Sequence, residues 1–256
     1  MNIFFNFVKH DIKKKISALY FGIFWLLFKP IISIVVMWGV FTYGLKTSPQ
    51  VDGSSFIVWL SAGLVIWFFF TECLTSVSDA LIEYKFLLKQ SSFSPQKIIL
   101  VKLISSSISL IILMILLYIF YFFTQEIHFT YVLTSFYYIL CLYALIFSLG
   151  LILSSFKLFI KDIGEIISSC FQLFFWLTPI VWNLKLIPKE FQWFVSLNPL
   201  TYIIEGMRSS FSSNPIIFYN SFDIKSTLFF WSLIILTLLI GILVFSKLKP
   251  HFNEAL

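Results

Sequence analysis

The chain has 256 residues and a formal net charge of +6, yet only 12% of its residues are charged, against 59% hydrophobic and 20% aromatic. A soluble domain carries about 25% charged residues, so this composition, with a mean hydropathy of +0.96, leaves too little polar surface for a protein in water. The sequence excludes a soluble globular fold and predicts an integral membrane protein.

The N-terminal segment, residues 1–20, predicts a helix that lies on the membrane surface. Its apolar residues recur at helical spacing opposite a row of lysines, and the apolar set is Phe5, Val8, Ile12, Ile16 and Leu19. A secretory signal would place its basic residues first, whereas this segment has its apolar part first and lacks a small-residue cleavage site. A disordered basic tail is the alternative interpretation.

Six apolar runs are long enough to cross a membrane, since a spanning helix needs about 20 residues. They cover residues 21–45, 56–78, 98–124, 131–155, 163–184 and 226–246. The first contains one charge, Lys29, whose long side chain can reach the nearer surface, and Pro30, which should bend the helix. We therefore predict a single all-α integral membrane domain over 1–256, in which 1–20 is interfacial, 21–184 holds spans one to five, 185–225 is extramembrane, and 226–256 holds the sixth span and tail.

Basic residues predict the orientation, because loops on the cytoplasmic side are enriched in lysine and arginine. With the N-terminus inside, twelve of the 18 basic residues fall on the inner side and five on the outer side. Both termini and residues 79–97 are then cytoplasmic, and residues 185–225 face outward. The positive net charge reflects this topology, and no nucleic-acid partner is expected.

No residues form a recognisable catalytic or metal-binding pattern. Cys73, Cys141 and Cys170 are isolated within the spans, and the three histidines lie in three separate extramembrane segments. The stretch GVFTYGLKT mimics a phosphate-binding loop, but one residue too many separates Gly44 from Lys46, and the stretch continues a span. We expect no catalytic centre, no metal site and no ATP site of that kind in this chain.

Glu72 is the deepest acidic residue in the predicted spans, where ionisable groups are costly. It contacts either a polar substrate or a group on a neighbouring helix. A proton-coupled carrier would contain more such groups together with inverted repeats, so secondary transport is not expected.

Two predicted inner loops combine apolar and charged residues, as partner-binding surfaces do. One is a short amphipathic helix followed by a Ser/Pro turn within 79–97, and the other is the segment 156–167, where the fourth span turns into the fifth. The candidate contact residues are Tyr84, Lys85, Lys89, Lys161, Asp162 and Glu165. Each segment is either a docking surface or an ordinary hydrated loop.

The segment NPLTYIIEGMRSSF, residues 198–211, predicts a short one-sided helix. Asn198 can cap it and Pro199 can take its first helical position. Glu205 and Arg208 lie three residues apart and can pair, while the apolar face is formed by Leu200, Ile203, Ile204, Met207 and Phe211. A helix of about 13 residues reaches only about 20 Å, which is too short to span a membrane.

Four motifs in chain order resemble the permease subunit of bacterial ATP-binding-cassette (ABC) exporters for cell-surface polysaccharides. They are GIFWLLFKP (22–30), KDIGEIISSCFQLFFWLTPIVW (161–182), NPLTYIIEGMR (198–208) and KLKPHFNEAL (247–256). O-antigen permeases of the Wzm type and teichoic-acid translocation permeases both look like this. The resemblance covers essentially the whole chain.

The resemblance implies a type-2 ABC exporter permease with six membrane-spanning helices and short re-entrant helices between spans five and six. It implies a homodimer in the bacterial cytoplasmic (inner) membrane that binds two copies of a separate ATPase, which holds ATP and Mg²⁺, and no cofactor in this chain. The implied cargo is an undecaprenyl-linked polysaccharide, such as lipopolysaccharide O-antigen or teichoic acid. An exporter of the same fold for drugs or lipids is the alternative.

The resemblance also implies roles for particular positions. Aromatic residues of the first and fifth spans would line the substrate channel, namely Trp25, Phe28, Trp38, Phe171, Phe174, Phe175 and Trp176. The helix after Asn198 and Pro199 would form an outer gate with Glu205 and Arg208 as an exposed ion pair, or serve as a structural cap. Residues 79–97 and the turn at Lys161 would receive the motion of the ATPase, although the family more often has arginine at that last position.

Overall fold

The computed structural model describes residues 3–17, 22–46, 50–51, 54–89, 94–124, 129–160, 162–211 and 223–252. In chain order, its α-helices are α1 (Ile3–Ser17), α2 (Gly22–Gly39), α3 (Phe56–Ser78), α4 (Ala80–Glu83), α5 (Lys85–Lys89), α6 (Pro95–Thr124), α7 (Phe129–Phe159), α8 (Ile163–Leu177), α9 (Lys189–Ser196), α10 (Pro199–Ser209) and α11 (Ile224–Leu248). A π-helical turn, Val40–Gly44, continues α2, and 3₁₀ turns lie at Leu184–Leu186 and Lys249–His251. Two short antiparallel strands, β1 (Gln50–Val51) and β2 (Ser54–Ser55), precede α3.

The helix α3 forms the centre of the bundle, because it packs against α2, α6, α7, α8 and α10. Over residues 56–70 nearly all of its side chains are apolar, which suits a helix that is covered all round. The consecutive residues Leu64, Val65 and Ile66 point about 100° apart on the helix, and all three are fully buried. The other long helices are arranged around this core.

Four helices have the length and hydropathy of a membrane span: Phe56–Ser78, Pro95–Phe123, Leu133–Phe159 and Ile224–His251. They match the predicted second, third, fourth and sixth spans, and the chain is therefore a multi-pass helical membrane protein. The predicted first and fifth spans coincide with shorter apolar helices, Phe28–Gly44 and Ile163–Leu177, so the described residues do not establish six crossings.

The helix at the fifth predicted span, 163–184, is shorter than expected. α8 ends at Leu177, and its 15 residues reach only about 22 Å, less than the hydrocarbon core of about 30 Å. The reason is local, since the ring of Pro179 disfavours a helical conformation at the preceding residue, and Thr178 is extended. The chain leaves the helix within an apolar stretch.

The two ends of the bundle carry different short elements. At the end where α3 finishes, α4 packs against α6 and α7, and α1 packs along α6; we call this the α1 end. At the opposite end, α10 packs against α3, α7 and α11, and we call this the α10 end. The hairpin also belongs to the α10 end, because the Ser54 hydroxyl donates a hydrogen bond to the carbonyl oxygen of Phe211.

Two predicted helices differ from the structure in detail. The single amphipathic helix expected within 79–97 is divided into α4 and α5, with Tyr84 between them. In α1, Phe5 is 66% exposed although it belongs to the predicted apolar face, while Val8 and Asp11 are buried. Packing along α6 determines which side of α1 faces inward. Leu19 lies outside the described residues, and so does the side chain of Ile16.

Candidate functional site

One side of α8 is polar and exposed. Five residues follow the pattern i, i+3, i+4, i+7, i+11, which places them on one side of the helix, and all five are exposed: Glu165, Ser168, Ser169, Gln172 and Trp176. Four of them carry a carboxylate, hydroxyl or amide group, in a chain with few charged residues. We call these five residues the polar stripe.

The exposed side of α6 has the opposite character. Its exposed side chains between residues 104 and 123 are all apolar: Ile104, Ile111, Ile115, Ile119, Phe122 and Phe123. Such a surface suits lipid, whereas polar groups within a membrane usually face a protein interior or a water-filled space. The polar stripe is therefore suited to water, a polar solute or a second protein surface.

Three of the seven aromatic residues predicted to line a channel are exposed on α2 or on the polar stripe. They are Trp25, Phe28 and Trp176, and the rings of Trp25 and Phe28 touch edge to face. Trp38 is half-buried, with its ring against that of Tyr43. Trp25, Phe28 and Trp176 remain available to a surface outside the core of the chain, whereas Trp38 packs partly against that core.

The other three aromatic residues point elsewhere. Phe171 and Phe175 pack edge-on against Trp67 of α3, with ring centroids 6.1 and 5.6 Å apart. Phe174 lines a cavity on the side of α8 opposite to the polar stripe. Because α3 and the cavity take up these faces of α8, the three rings turn away from the stripe, and their place in a channel stays a prediction.

The cavity on this opposite side of α8 is apolar and measures about 300 Å³. α8 packs against α3 and α7, and α11 packs against α7 and α10, so the cavity lies between α8 and α11. Among its lining residues are Leu145, Leu149 and Leu153 of α7 and Ile166, Cys170 and Phe174 of α8. We call this cavity the apolar slot.

The predicted helix at 198–211 is present as α10, with the predicted cap. The Asn198 side chain accepts a hydrogen bond from the backbone N–H of Leu200, and Pro199 takes the first helical position. The five residues of its predicted apolar face are all buried. Gly206 lets α10 approach α7 closely, because a Cβ at this position would lie 2.0 Å from the ring of Tyr138.

Arg208 is buried and joins three segments at the α10 end. It donates hydrogen bonds to the carbonyl oxygens of Trp59, Pro179 and Ile180, at 3.2, 2.7 and 2.5 Å. It also donates to the Glu205 carboxylate at 2.7 Å, and its guanidinium lies 3.5 Å from the centre of the Trp59 ring. The arginine therefore fixes α10 to α3 and to the turn after α8.

This burial corrects the expected exposed ion pair. The Arg208 side chain is only 3% exposed, although that of Glu205 is 36% exposed. The cause is the tertiary position of α10, which is covered by α3 and α7. The i, i+3 spacing correctly predicted the contact, but it could not predict the three carbonyl acceptors.

A second buried polar cluster lies at the α1 end and was missed in the sequence. Asp11 is 3% exposed, and its carboxylate accepts hydrogen bonds from Ser105, Tyr84 and Lys102, the last at 2.8 Å. Lys102 also contacts Glu83 at 2.6 Å. The available signal was Asp11, a lone acid within a lysine-rich helix. Burying a carboxylate is costly unless it is paired, so such a residue indicates a partner if its side of the helix is buried.

The electrostatics of this cluster favour a charged Asp11. Burial alone would raise the pKa of its carboxyl, but hydrogen bonds from Lys102, Ser105 and Tyr84 outweigh burial and hold that pKa below its ordinary value of 3.8. Burial, together with the contact to Asp11, raises the pKa of the Tyr84 hydroxyl. The cluster therefore attaches α1 to α6 through a charged, hydrogen-bonded core.

The residues predicted to contact a partner differ in their exposure. Tyr84 is largely buried, and its hydroxyl donates to Asp11, but it also lines a groove beside α1, so its contact with a partner stays a prediction. Lys85, Asp162 and Glu165 are exposed. Lys161 and the side chain of Lys89 lie outside the described part of the structure.

Glu72 forms structural contacts, as one of its two interpretations predicted. It pairs with Lys15 of α1 and accepts a hydrogen bond from Ser109 of α6 at 2.9 Å. Among the described residues, no group of three or more His, Cys, Asp and Glu side chains could hold a metal ion.

A bundle of long apolar helices with a short buried helix at one end defines a helical membrane protein, and comparison with known families identifies the class. Residues 4–212 match the family described as ABC-2 type transporter. The chain belongs to this family, and membership implies partnership with an ABC ATPase subunit.

The chain is also similar to two curated relatives from Klebsiella pneumoniae, both described as "O-antigen export system permease protein RfbA". It is 25% identical to one over 251 residues, which are 96% of this chain and 92% of that relative. It is 24% identical to the other over the same shares of both chains.

Proposed function

We propose that this chain is the channel-forming permease of an ATP-driven exporter that carries an undecaprenyl-linked cell-surface polysaccharide across the bacterial cytoplasmic membrane. The observation that carries this proposal is the polar stripe on α8, since a polymer rich in hydroxyl groups needs a hydrated path through lipid. The similarity to O-antigen export permeases over 96% of the chain supports a glycan as the cargo. O-antigen and teichoic acid are both cargoes of this chemical kind.

The channel is formed by two copies of the chain, with the polar stripe and the exposed aromatic residues of α2 at their interface. Aromatic rings pack against the C–H faces of sugars while the hydroxyl groups stay hydrated, so Trp25, Phe28 and Trp176 support sliding of a glycan. Six crossings are part of this proposal. α2 and its π turn continue from residue 22 to residue 44, about 34 Å, and the turn after α8 completes the fifth crossing.

The α1 end is cytoplasmic in this proposal and binds two ATPase subunits. Ile82 and Phe86 are 39% and 53% exposed there, beside the exposed Lys85. A groove of about 550 Å³ separates α1 from α4 and α5, with Phe7, His10 and Phe86 among its lining residues. Apolar and basic side chains at the rim of a groove suit a protein partner. ATP and Mg²⁺ belong to that partner, so the purified chain alone should hydrolyse no ATP.

The α10 end faces outward in this proposal, and α9 and α10 form a gate. Asn198 and Pro199 start the gate helix next to the turn after α8, because the Asn198 amide donates a hydrogen bond to the Thr178 hydroxyl at 2.7 Å. Arg208 and Glu205 hold α10 in place. A movement of α8 would therefore be transmitted to α10 through the turn at Thr178 and Pro179.

Cysteine accessibility tests the channel. In a background without the three native cysteines, Gln172→Cys on the polar stripe should react with a water-soluble methanethiosulfonate reagent in membranes that contain the ATPase. Ile115→Cys on the apolar side of α6 is the matched control and should not react. Modification of Gln172→Cys should also lower the amount of polysaccharide on the cell surface. Equal reactivity at the two positions, or modification without any loss of export, would contradict the proposal.

A further inference from the structure

We propose that the apolar slot between α8 and α11 binds one acyl chain of a membrane phospholipid. The inference does not depend on export, because it rests on the volume, the lining and the position of the slot. It concerns the side of α8 opposite to the polar stripe, and therefore a site separate from the path of the cargo.

The dimensions of the slot fit a segment of one extended hydrocarbon chain. Along α7 its lining residues run from Leu145 to Leu153, and along α8 from Ile166 to Phe174. Eight residues of helix correspond to about 12 Å, so the slot is elongated parallel to both helices. Its volume of about 300 Å³ allows a chain to lie along this length.

The chemistry of the lining excludes water and a charged headgroup. Asn198 and Thr237 are its polar residues, and both are hydrogen-bonded within the protein. Water in a cavity needs two to four polar partners, which these groups do not supply. The lining contains no charged side chain, so nothing in the slot would bind the phosphate of a carrier lipid.

The slot is open on one side of the bundle. Ile166 and Phe174 on its α8 wall are 53% and 44% exposed, and Leu149, Leu153 and Leu233 are half-buried. These partly exposed side chains lie on the helices that flank the gap. The phospholipid acyl chain is the apolar ligand at highest concentration around a membrane protein, and leaving this space empty would be unfavourable.

Occupancy of the slot would support the α10 end. Pro199 and Leu200, the first residues of α10, belong to the lining. A bound chain would therefore fill the space between α8 and the start of α10, and it would stabilise the position of α10 without any polar contact.

Photo-crosslinking tests the site. The protein is reconstituted into nanodiscs of phosphatidylethanolamine and phosphatidylglycerol that contain phosphatidylglycerol with a diazirine in one acyl chain. After illumination, mass spectrometry should locate adducts in residues 145–153 and 166–174. Leu233→Trp, which fills the slot, should lose these adducts. Leu236→Trp is the matched control on the exposed side of α11 and should keep them. Adducts on the exposed side of α6 should be equal in all three proteins.

A second variant and a native reporter keep the test decisive if Leu233→Trp does not fold. Leu149→Phe fills the slot from α7, and Cys170 in its wall is the one cysteine of the three that is not fully buried. Added phosphatidylglycerol should slow the reaction of Cys170 with N-ethylmaleimide in delipidated micelles of the wild-type protein, and it should have little effect on Leu149→Phe.

Three results would overturn the proposal. Slot adducts that are equal in Leu233→Trp and Leu236→Trp would show that the lipid does not enter the slot. Adducts confined to the exposed side of α6 would show that protein, such as a second copy, covers the slot. In a competition experiment, slot adducts that decrease when undecaprenyl phosphate is added, but not when the share of phosphatidylethanolamine is increased, would identify an isoprenoid chain as the occupant.

Discussion

Replacing Arg208 with alanine should destabilise the whole fold, because this side chain joins three separate segments. Its guanidinium supplies donors to the carbonyl oxygens of Trp59, Pro179 and Ile180 and to the carboxylate of Glu205. Alanine would leave the three carbonyl groups without this donor in a buried site. Leaving a buried acceptor without its donor costs about 1–3 kcal/mol, so losing these contacts together should cost on the order of 3–5 kcal/mol.

Thermal unfolding of the purified protein in detergent measures this cost. At about 2–4 °C per kcal/mol, Arg208→Ala should lower the Tm by roughly 6–20 °C. Glu205→Gln is the matched control, since it keeps the size of the partner, an oxygen that can still accept from Arg208, and all three carbonyl contacts. A Tm of Arg208→Ala equal to that of Glu205→Gln would refute the reasoning.

The structure also changes the expectation for a charge swap at these two positions. Rescue would be expected if the pair were exposed and made no other contact. A carboxylate at position 208 would instead face three carbonyl oxygens, which are also acceptors. The double variant Glu205→Arg and Arg208→Glu should therefore be no more stable than Arg208→Ala, and recovery of the wild-type Tm would show that the carbonyl contacts contribute little.

Three further predictions follow from other contacts. Gly206→Ala should lower the Tm by overpacking against Tyr138, at a cost of about 1–3 kcal/mol, and an unchanged Tm would show that α10 and α7 separate easily. Because the pKa of the Asp11 carboxyl is lowered in the folded protein, the stabilisation that Asp11 provides is complete above pH 3.8 and is lost as the pH falls below this value. Asp11→Asn should therefore reduce the loss of Tm on acidification, and a pH dependence equal to that of the wild type would contradict this role of Asp11. Phe86→Asp should reduce co-purification of the ATPase, whereas Phe123→Asp, at the end of α6 far from the α1 end, should not. Equal effects of the two variants would contradict a docking surface at Phe86.

Much of the secondary structure and one detailed contact followed from local sequence patterns. Runs of about 20 apolar residues predicted the second, third, fourth and sixth spans, because hydrocarbon requires every backbone group to be bonded within a helix. Asn198 and Pro199 predicted the start of α10, since capping depends only on neighbouring residues. The end of α8 before Pro179 could have been predicted by the same local rule.

Tertiary structure alone decided which side of each helix is covered. In a membrane, apolar residues face both lipid and the protein interior, so hydropathy does not distinguish the exposed side of α6 from the buried sides of α3. For the same reason the sequence could not separate Phe171 and Phe175, which pack on Trp67, from Trp176 on the polar stripe. The burial of Asp11 and of Arg208 depends on partners more than 90 residues away in the chain, and such distant contacts are determined only when the helices pack together.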